Sequence, residues 1–324
     1  MALAPGYPRR VSQNLDLDAI RAAAERIRPH VLRTPVLRQR LRPDCELLLK
    51  AESLQPTGSF KIRGAFSLMT TLDPDVPGVV AHSSGNHAQA VARAGAVLGI
   101  PAVVVMPSDV PAVKRTRAEA DGAEVVLVGS DSAEREERAA ALVRERGLFP
   151  VPPYDHPLVA AGQGTAALEL CEDAGELERF YAPVSGGGLM AGCATALHAL
   201  CAGIEIVGCE PEDADDTRRS LDAGERVSVP PPRTIADGLR VRIPGAFTFP
   251  VLREHVARVE LVSDEEMLDA MAFALRELRL VLEPSGAVSL AVALREGVGR
   301  CGVLLSGGNV DAALLTRVVR EMLS

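Results

Sequence analysis

The sequence predicts an α/β protein with parallel sheets, because apolar strands and amphipathic helices alternate along most of its 324 residues. The run AVVVM at 102–106 is apolar throughout, which is typical of a parallel strand that is covered on both faces. A chain of this length can bury a large core, and we expect it to form two lobes.

The elements follow one another in a regular order. Apolar side chains at helical spacing predict the first helix over 18–28, and the first strand is predicted over 46–51. The alternation continues through helix 59–71, strand 78–82, helix 86–98, strand 101–106, helix 111–121, strand 124–128 and helix 132–146. A second alternating series runs over 159–208, and the proline-containing stretch 210–250 is expected to be rich in loops. The proline-rich run 149–153 is expected to cross between the lobes.

Composition argues against several classes of protein. The net charge of −8 disfavours nucleic acid or an anionic membrane as a partner, and no apolar run reaches the ~18 residues of a membrane span. Residues 1–10 lack the apolar stretch of a signal peptide, so we expect a cytoplasmic protein. The cysteines lack C-x-x-C spacing, which favours reduced core residues over zinc ligands or disulfides. They are Cys45, Cys171, Cys193, Cys201, Cys209 and Cys301.

Lys61 is the first candidate for chemistry, because lysine is scarce in this chain. Among 35 basic residues only Lys50, Lys61 and Lys114 are lysines. Arginine stays protonated in proteins, whereas a buried lysine can lose its proton and attack a carbonyl group. Lys61 follows a turn and opens a predicted helix, which is a suitable place for a reactive amine.

The glycine-rich run SGGGL at 185–189 is a candidate phosphate site. It lies between an apolar run and a predicted helix, so backbone N–H groups and the helix N-terminus can close on an oxyanion. The sequence around it has neither the Lys-Ser/Thr ending of a P-loop nor a GxGxxG fingerprint, which disfavours ATP and NAD. A reactive lysine and a phosphate site together indicate pyridoxal phosphate, held as a Schiff base.

Four motifs, in this order, resemble those of the fold-type II pyridoxal-phosphate enzymes, and within them the serine/threonine dehydratase and serine racemase branch. They are SFKIRGA at 59–65, SSGNHAQA at 83–90, SGGGL at 185–189 and SGGN at 306–309. The resemblance implies a two-lobed fold like that of the tryptophan synthase beta subunit, with a mostly parallel sheet wrapped by helices in each lobe. It also implies a homodimer, and the chain end soon after Asp311 resembles the short, catabolic form.

The resemblance also divides the chain and assigns the cofactor site. Residues 1–51 and 152–324 are expected to form the large cofactor-binding lobe, and residues 52–151 the small lobe that closes on the substrate. Asn86 is expected at the ring oxygen and Ser306 at the pyridine nitrogen, where a hydroxyl makes the ring a weaker electron sink than a carboxylate would. The implied cofactor-binding residues are Lys61, Phe60, Asn86, Ser185, Gly186, Gly187, Gly188, Leu189, Glu283 and Ser306.

The second motif is the implied substrate site, with Ser83, Ser84, Asn86 and His87 around the substrate carboxylate. The N-terminus of a helix suits a carboxylate, although these residues could equally act as helix caps. Ser84 departs from the Ala that threonine dehydratases of this family usually carry. A hydroxyl opposite Lys61 could move a proton on the second face of Cα, so Lys61 and Ser84 are the predicted catalytic residues.

An acidic run at 210–216 matches the position of a cation site in the family. The matching ligands are Glu210, the backbone carbonyl of Ala214, and Asp216. Ligation by oxygen alone suits Mg²⁺ or Ca²⁺. The alternative is a solvated acidic surface.

The predicted reaction is elimination of water from L-threonine or L-serine, which gives a 2-oxo acid and ammonia. The enzymatic alternatives are a serine racemase with side elimination and a threo-3-hydroxyaspartate dehydratase. A regulator that binds amino acids on the same fold is the non-enzymatic alternative, and the intact Lys61 argues against it. The partner is in each case a small amino acid.

Overall fold

The computed structural model describes residues 14–83, 85–108, 110, 112–129 and 132–323. Its strands are β1 (Val36–Arg42), β2 (Cys45–Lys50), β3 (Val79–His82), β4 (Ala102–Pro107), β5 (Glu124–Val128), β6 (Phe149–Pro150), β7 (Arg179–Pro183), β8 (Glu205–Pro211), β9 (Arg258–Val262) and β10 (Gly299–Leu304). Its α-helices are α1 (Leu17–Ile27), α2 (Lys61–Met69), α3 (Asn86–Leu98), α4 (Ala112–Ala120), α5 (Ser132–Arg146), α6 (Pro157–Ala174), α7 (Gly188–Leu200), α8 (Asp216–Ala223), α9 (Thr248–His255), α10 (Asp264–Phe273), α11 (Pro284–Glu296) and α12 (Ala312–Glu321).

These strands form two sheets. The larger has six strands in the order β1-β2-β10-β7-β8-β9, and only its β1–β2 pair is antiparallel. The smaller has four parallel strands in the order β5-β4-β3-β6. This confirms the predicted α/β fold with mostly parallel sheets. The strands of the smaller sheet lie within 79–150, and the lobe boundaries at residues 51 and 152 stay a prediction.

The larger sheet is apolar on both faces. Successive side chains of a strand point to opposite faces, and Leu47 and Leu49 of β2 accordingly pack in one cluster with α10 and α11. Leu48 packs in a different cluster, with α6 and α7. Both layers are aliphatic, as the composition indicated. No helix within the described ranges is long and apolar enough to cross a membrane.

The structure differs from the predicted elements in two places. The strand β1 was not predicted, because its sequence VLRQRLR alternates arginine with apolar residues at the edge of the sheet. Charged side chains are common on edge strands, where they discourage pairing with other chains. The stretch 210–250 is less irregular than expected, since β8 extends to Pro211 and α8 follows it.

Candidate active site

Lys61 is the first residue of α2, and its amine points toward the segment that crosses between the two sheets. Its Nζ donates a hydrogen bond to the backbone carbonyl of Pro153 at 2.8 Å and lies 5.0 Å from the centre of the Phe60 ring. Burial lowers the pKa of Lys61 to about 8. A sizeable fraction of this amine is therefore neutral near neutral pH, as attack on a carbonyl requires.

The turn before Lys61 is attached to the fourth motif. Phe60 N donates to Ser306 O at 3.1 Å, and Gly308 N donates to Gly58 O at 2.9 Å. Ser59 and Gly307 form an isolated antiparallel bridge between these hydrogen bonds. Two motifs that lie more than two hundred residues apart in sequence are thus brought together.

The opposite side of α2 is held by buried charges. Arg63 Nε and Nη2 donate to the carboxylate of Glu52 at 2.7 and 2.8 Å, and Nη1 and Nη2 donate to Glu169 at 2.8 Å each. Lys50 Nζ donates to Glu169 at 2.6 Å. We call these four residues the Arg63 cluster. It contains two cations and two anions, so its charges balance, and it fixes the helix that presents Lys61.

The glycine-rich loop has the backbone geometry that an anion site requires. Ser185 has a φ of +56° and Gly187 a φ of +93°, and α7 begins directly after them at Gly188. The N–H groups of a first helical turn have no partners within the helix. A Cβ atom at Gly186 would lie 2.4 Å from the ring of Tyr154, so only glycine fits there. These features fit the phosphate group of the predicted cofactor.

The second motif spans the end of β3 and the start of α3. Ser83 Oγ accepts a hydrogen bond from Gly85 N at 3.2 Å. His87 is buried, its Nε2 lies 2.8 Å from Val151 O, and burial lowers its pKa to about 3. Since a carbonyl only accepts, Nε2 carries the proton and the imidazole is neutral. Ser84 lies outside the described residues.

Asn86 and Glu283 meet in the structure, although they are 197 residues apart in the chain. Asn86 Nδ2 donates to Glu283 Oε1 at 2.6 Å. Ser306 is also buried, and its hydroxyl donates to Ser285 O at 3.2 Å. These contacts give positions to three predicted cofactor-binding residues, and their roles stay predictions.

The predicted cation ligands form an uncompensated acidic pair. Glu210 and Asp216 are both fully buried, and neither carboxylate oxygen of Asp216 has a hydrogen-bond partner among the described residues. Glu210 accepts only from the backbone N–H groups of Thr217 and Arg218, at 3.2 and 3.0 Å. Burial, and for Glu210 the neighbouring Asp216, raise their pKa values to about 8 and about 7.

This acidic pair is too small to hold a cation alone. Within the described ranges, no group of three His, Cys, Asp or Glu side chains is arranged to hold a metal ion. A bound cation would need further oxygen ligands, such as the Ala214 carbonyl that the sequence indicated, or water.

Three residues near the site were not predicted from the sequence. Tyr154 packs its ring on Gly186, and Gln163 is buried with its Nε2 3.4 Å from Pro153 O. Asn309 belongs to a quoted motif but had no assigned role, and it contacts Asn86. The glycines at 186 and 188 were a partial signal, because both leave room for these side chains.

Comparison with known proteins agrees with this geometry. The family model described as "Pyridoxal-phosphate dependent enzyme" matches residues 27–307. The chain belongs to this family. The reactive lysine, the glycine-rich loop and the two remaining motifs are therefore the parts of a pyridoxal-phosphate enzyme, and the predicted fold-type II resemblance is confirmed.

The similar proteins include both lyases and racemases. The chain is 41% identical to L-threo-3-hydroxyaspartate ammonia-lyase of Saccharomyces cerevisiae, over 89% of this chain and 91% of that protein. It is 39% identical to serine racemase of Schizosaccharomyces pombe, over 93% of this chain and 97% of that protein. Among solved structures, a bacterial-type short chain described as threonine deaminase of T.th. matches with a TM-score of 0.88 and 48% identity, covering 91% of this chain and 99% of that one.

Proposed function

We propose that this pyridoxal-phosphate enzyme is an ammonia-lyase that eliminates water from L-threonine and L-serine, giving a 2-oxo acid and ammonia. The observation that carries the proposal is the amine of Lys61, which is held 2.8 Å from Pro153 O with a pKa lowered to about 8. The 48% identity to a threonine deaminase supports the choice of substrate.

The residues of the site divide the work. The bound cofactor would be held covalently by Lys61 and would supply an electron sink for the substrate Cα. The N–H groups at 185–189 would hold its phosphate, and the Ser306 hydroxyl would meet its ring nitrogen. Released from the cofactor, the neutral amine of Lys61 takes the Cα proton, and its hydrogen bond to Pro153 O orients the lone pair away from that carbonyl.

Product analysis tests the proposal directly. The purified enzyme is assayed for 2-oxo acid and ammonia on L-threonine, L-serine, D-serine and L-threo-3-hydroxyaspartate. We expect turnover of L-threonine and L-serine, and loss of both turnover and the visible cofactor absorbance in Lys61→Ala. Lys50 and Lys114 are the internal controls, since a Lys61→Ala protein that stays yellow and active would place the cofactor on one of them.

L-threo-3-hydroxyaspartate is the second candidate substrate. It is favoured by two relatives of that activity, which are 41% and 42% identical to this chain. A second carboxylate on the substrate would need a cationic side chain in the pocket. The same panel decides, because preferential turnover of hydroxyaspartate over L-threonine would replace the first candidate.

Racemase activity depends on Ser84 in this proposal. Ser84→Ala should abolish interconversion of L- and D-serine while elimination from L-threonine survives on Lys61 alone. General acid–base groups typically contribute about 10²–10⁴-fold to a rate, so the difference is measurable. Equal losses on both enantiomers would mean that Ser84 positions the substrate and moves no proton.

The acidic pair supports a second proposal, that Glu210, Ala214 and Asp216 bind Mg²⁺ or Ca²⁺. Two buried carboxylates with raised pKa values are costly to keep charged without a cation. The homodimer and the cytoplasmic location stay predictions, which sizing of the purified protein and fractionation of cells would test.

A further inference from the structure

Asn309 closes the fourth motif, and its side chain lies where three segments of the chain meet. Its Nδ2 donates to Thr57 O and to Asn86 Oδ1, both at 2.8 Å. Its Oδ1 accepts from Nη1 of Arg117, on α4, at 3.0 Å. One amide therefore joins the turn before Lys61, the start of α3 and the surface helix α4.

The neighbours of Asn309 leave its amide one orientation. Thr57 contributes a backbone carbonyl, which can only accept, so it must face the NH₂ group. Arg117 contributes a guanidinium, which can only donate, so it must face the oxygen. Rotating the amide by 180° would oppose both pairs of like groups.

The fixed amide of Asn309 in turn fixes Asn86. The second N–H of Asn309 Nδ2 points to Asn86 and requires an acceptor there, which is Oδ1. The NH₂ group of Asn86 then faces the opposite way, toward Glu283 Oε1 at 2.6 Å. The hydrogen bonds thus run in one direction, from Arg117 through Asn309 and Asn86 to Glu283, and each donor has an acceptor.

The turn at Gly58 leaves room for this arrangement. A Cβ atom at Gly58 would lie 2.5 Å from Asn309 Oδ1, and the residue has a φ of +72°. Both observations require glycine at this position. The backbone that leads into Lys61 is therefore shaped around the Asn309 amide.

We propose that Asn309 is a positioning residue, which holds the Asn86 amide with its N–H groups, and never its carbonyl, toward the ring oxygen of the cofactor. The proposal rests on the proposed function, since it takes Asn86 as the partner of that oxygen. An N–H donor stabilises the deprotonated ring oxygen, whereas a carbonyl would stabilise the protonated one. Asn309 therefore sets the protonation state of the cofactor through Asn86.

The test is the absorbance spectrum of the protein with pyridoxal phosphate bound, in the absence of substrate. Asn309→Asp keeps the shape of the side chain but replaces the donor with an acceptor, so Asn86 must turn its NH₂ toward Asp and its carbonyl toward the cofactor. We expect the ratio of the visible to the near-ultraviolet cofactor band to fall about tenfold, as the loss of a hydrogen bond to the ring oxygen predicts. Asn309→Ala, which removes the donor without adding charge, should lower the ratio less.

Two arginines of α4 give a matched control. Arg117→Met removes the donor that fixes Asn309 and should shift the band ratio in the same direction, by less than Asn309→Asp. Arg115→Met removes a similarly exposed arginine that pairs with Glu119 at 2.7 Å, and should leave the ratio unchanged.

Two outcomes would overturn this inference and can be told apart from failure of the proposed function. Borohydride reduction followed by peptide mass analysis shows whether the cofactor is on Lys61. If the adduct forms in the unmutated chain and in Asn309→Asp with the same band ratio, Asn309 does not orient Asn86. If the unmutated chain carries no adduct at all, the proposed function fails and this inference fails with it.

Discussion

The Arg63 cluster and the acidic pair are both groups of buried charges, but they differ in balance. In the Arg63 cluster, two cations meet two anions, and Arg63 donates to both carboxylates. In the acidic pair, two carboxylates lie together, and Asp216 has no hydrogen-bond partner among the residues that the structure describes. Burial is complete for Arg63, Glu52, Glu210 and Asp216, so exposure does not explain the difference.

The difference in balance separates a structural role from a binding role. A buried ion pair that is fully hydrogen-bonded repays much of its desolvation cost, and its loss destabilises the fold. Buried carboxylates without partners lie at higher free energy until a proton or a cation joins them. We therefore read the first group as the support of α2 and the second as a cation site, and the following predictions test that reading.

The largest effect is expected from Arg63→Met. The substitution leaves Glu52 and Glu169 facing only Lys50, and removing one partner of a buried pair typically costs about 3–5 kcal/mol. Unfolding by urea, followed by circular dichroism, measures this loss. Arg33→Met is the control, because Arg33 is half-exposed and its pairs with Glu172 and Asp173 contribute about 0–1 kcal/mol. Equal losses in the two variants would remove the structural role of the Arg63 cluster.

The next effect is stabilisation by a cation. At a Ca²⁺ or Mg²⁺ concentration of about 100 times Kd, binding to the folded state alone adds about 2.7 kcal/mol to the free energy of unfolding. Melting curves with added cation and with chelator measure this difference. Asp216→Asn should remove the response and should melt above the unmutated protein in chelator, because one buried charge is gone. A chelator that leaves the unmutated melting temperature unchanged would reduce the acidic pair to a buried acidic contact.

A smaller effect is the pH dependence of stability without a cation. The folded pKa values of Glu210 and Asp216 are raised to about 8 and about 7, so the folded state binds protons that the unfolded state has released. Stability is then greatest at low pH and is lost as the pH rises through about 8. His87, with a lowered pKa, has the opposite effect below neutral pH. The difference between the curves of the unmutated protein and Asp216→Asn cancels that contribution, and a flat difference would contradict the raised pKa values.

The sequence predicted the parts of the site that are local in the chain. Lys61 and the glycine-rich loop each depend on a short run of residues with a recognisable mechanism, and the helix over 86–98 was predicted with its observed bounds. The Arg63 cluster could not be predicted, because Glu169 lies 106 residues beyond Arg63 and only the packing of α6 on α2 brings them together. The role proposed for Asn309 likewise depends on partners from three separate segments.

The smallest effect concerns the reach of the Arg63 cluster toward Lys61. Burial alone lowers the pKa of Lys61 to about 8, so a cluster of balanced charges should leave that pKa unaffected. We expect Glu169→Gln to weaken the fold but to leave the pKa of Lys61 near 8. The pKa is measured in the cofactor-free protein from the pH dependence of amine labelling, with peptide mass analysis separating Lys61 from the two other lysines.

Phe60→Ala is the matched variant that should change this pKa. The Phe60 ring lies 5.0 Å from Lys61 Nζ and shields the amine from water. Its removal lets water reach the charged form, so the pKa should rise from about 8 toward its ordinary value of 10.5. If Glu169→Gln shifts the pKa as much as Phe60→Ala does, the cluster acts electrostatically on the site. The Arg63 cluster would then tune the catalytic amine as well as support its helix, and the separation of structural from functional buried charges would not hold.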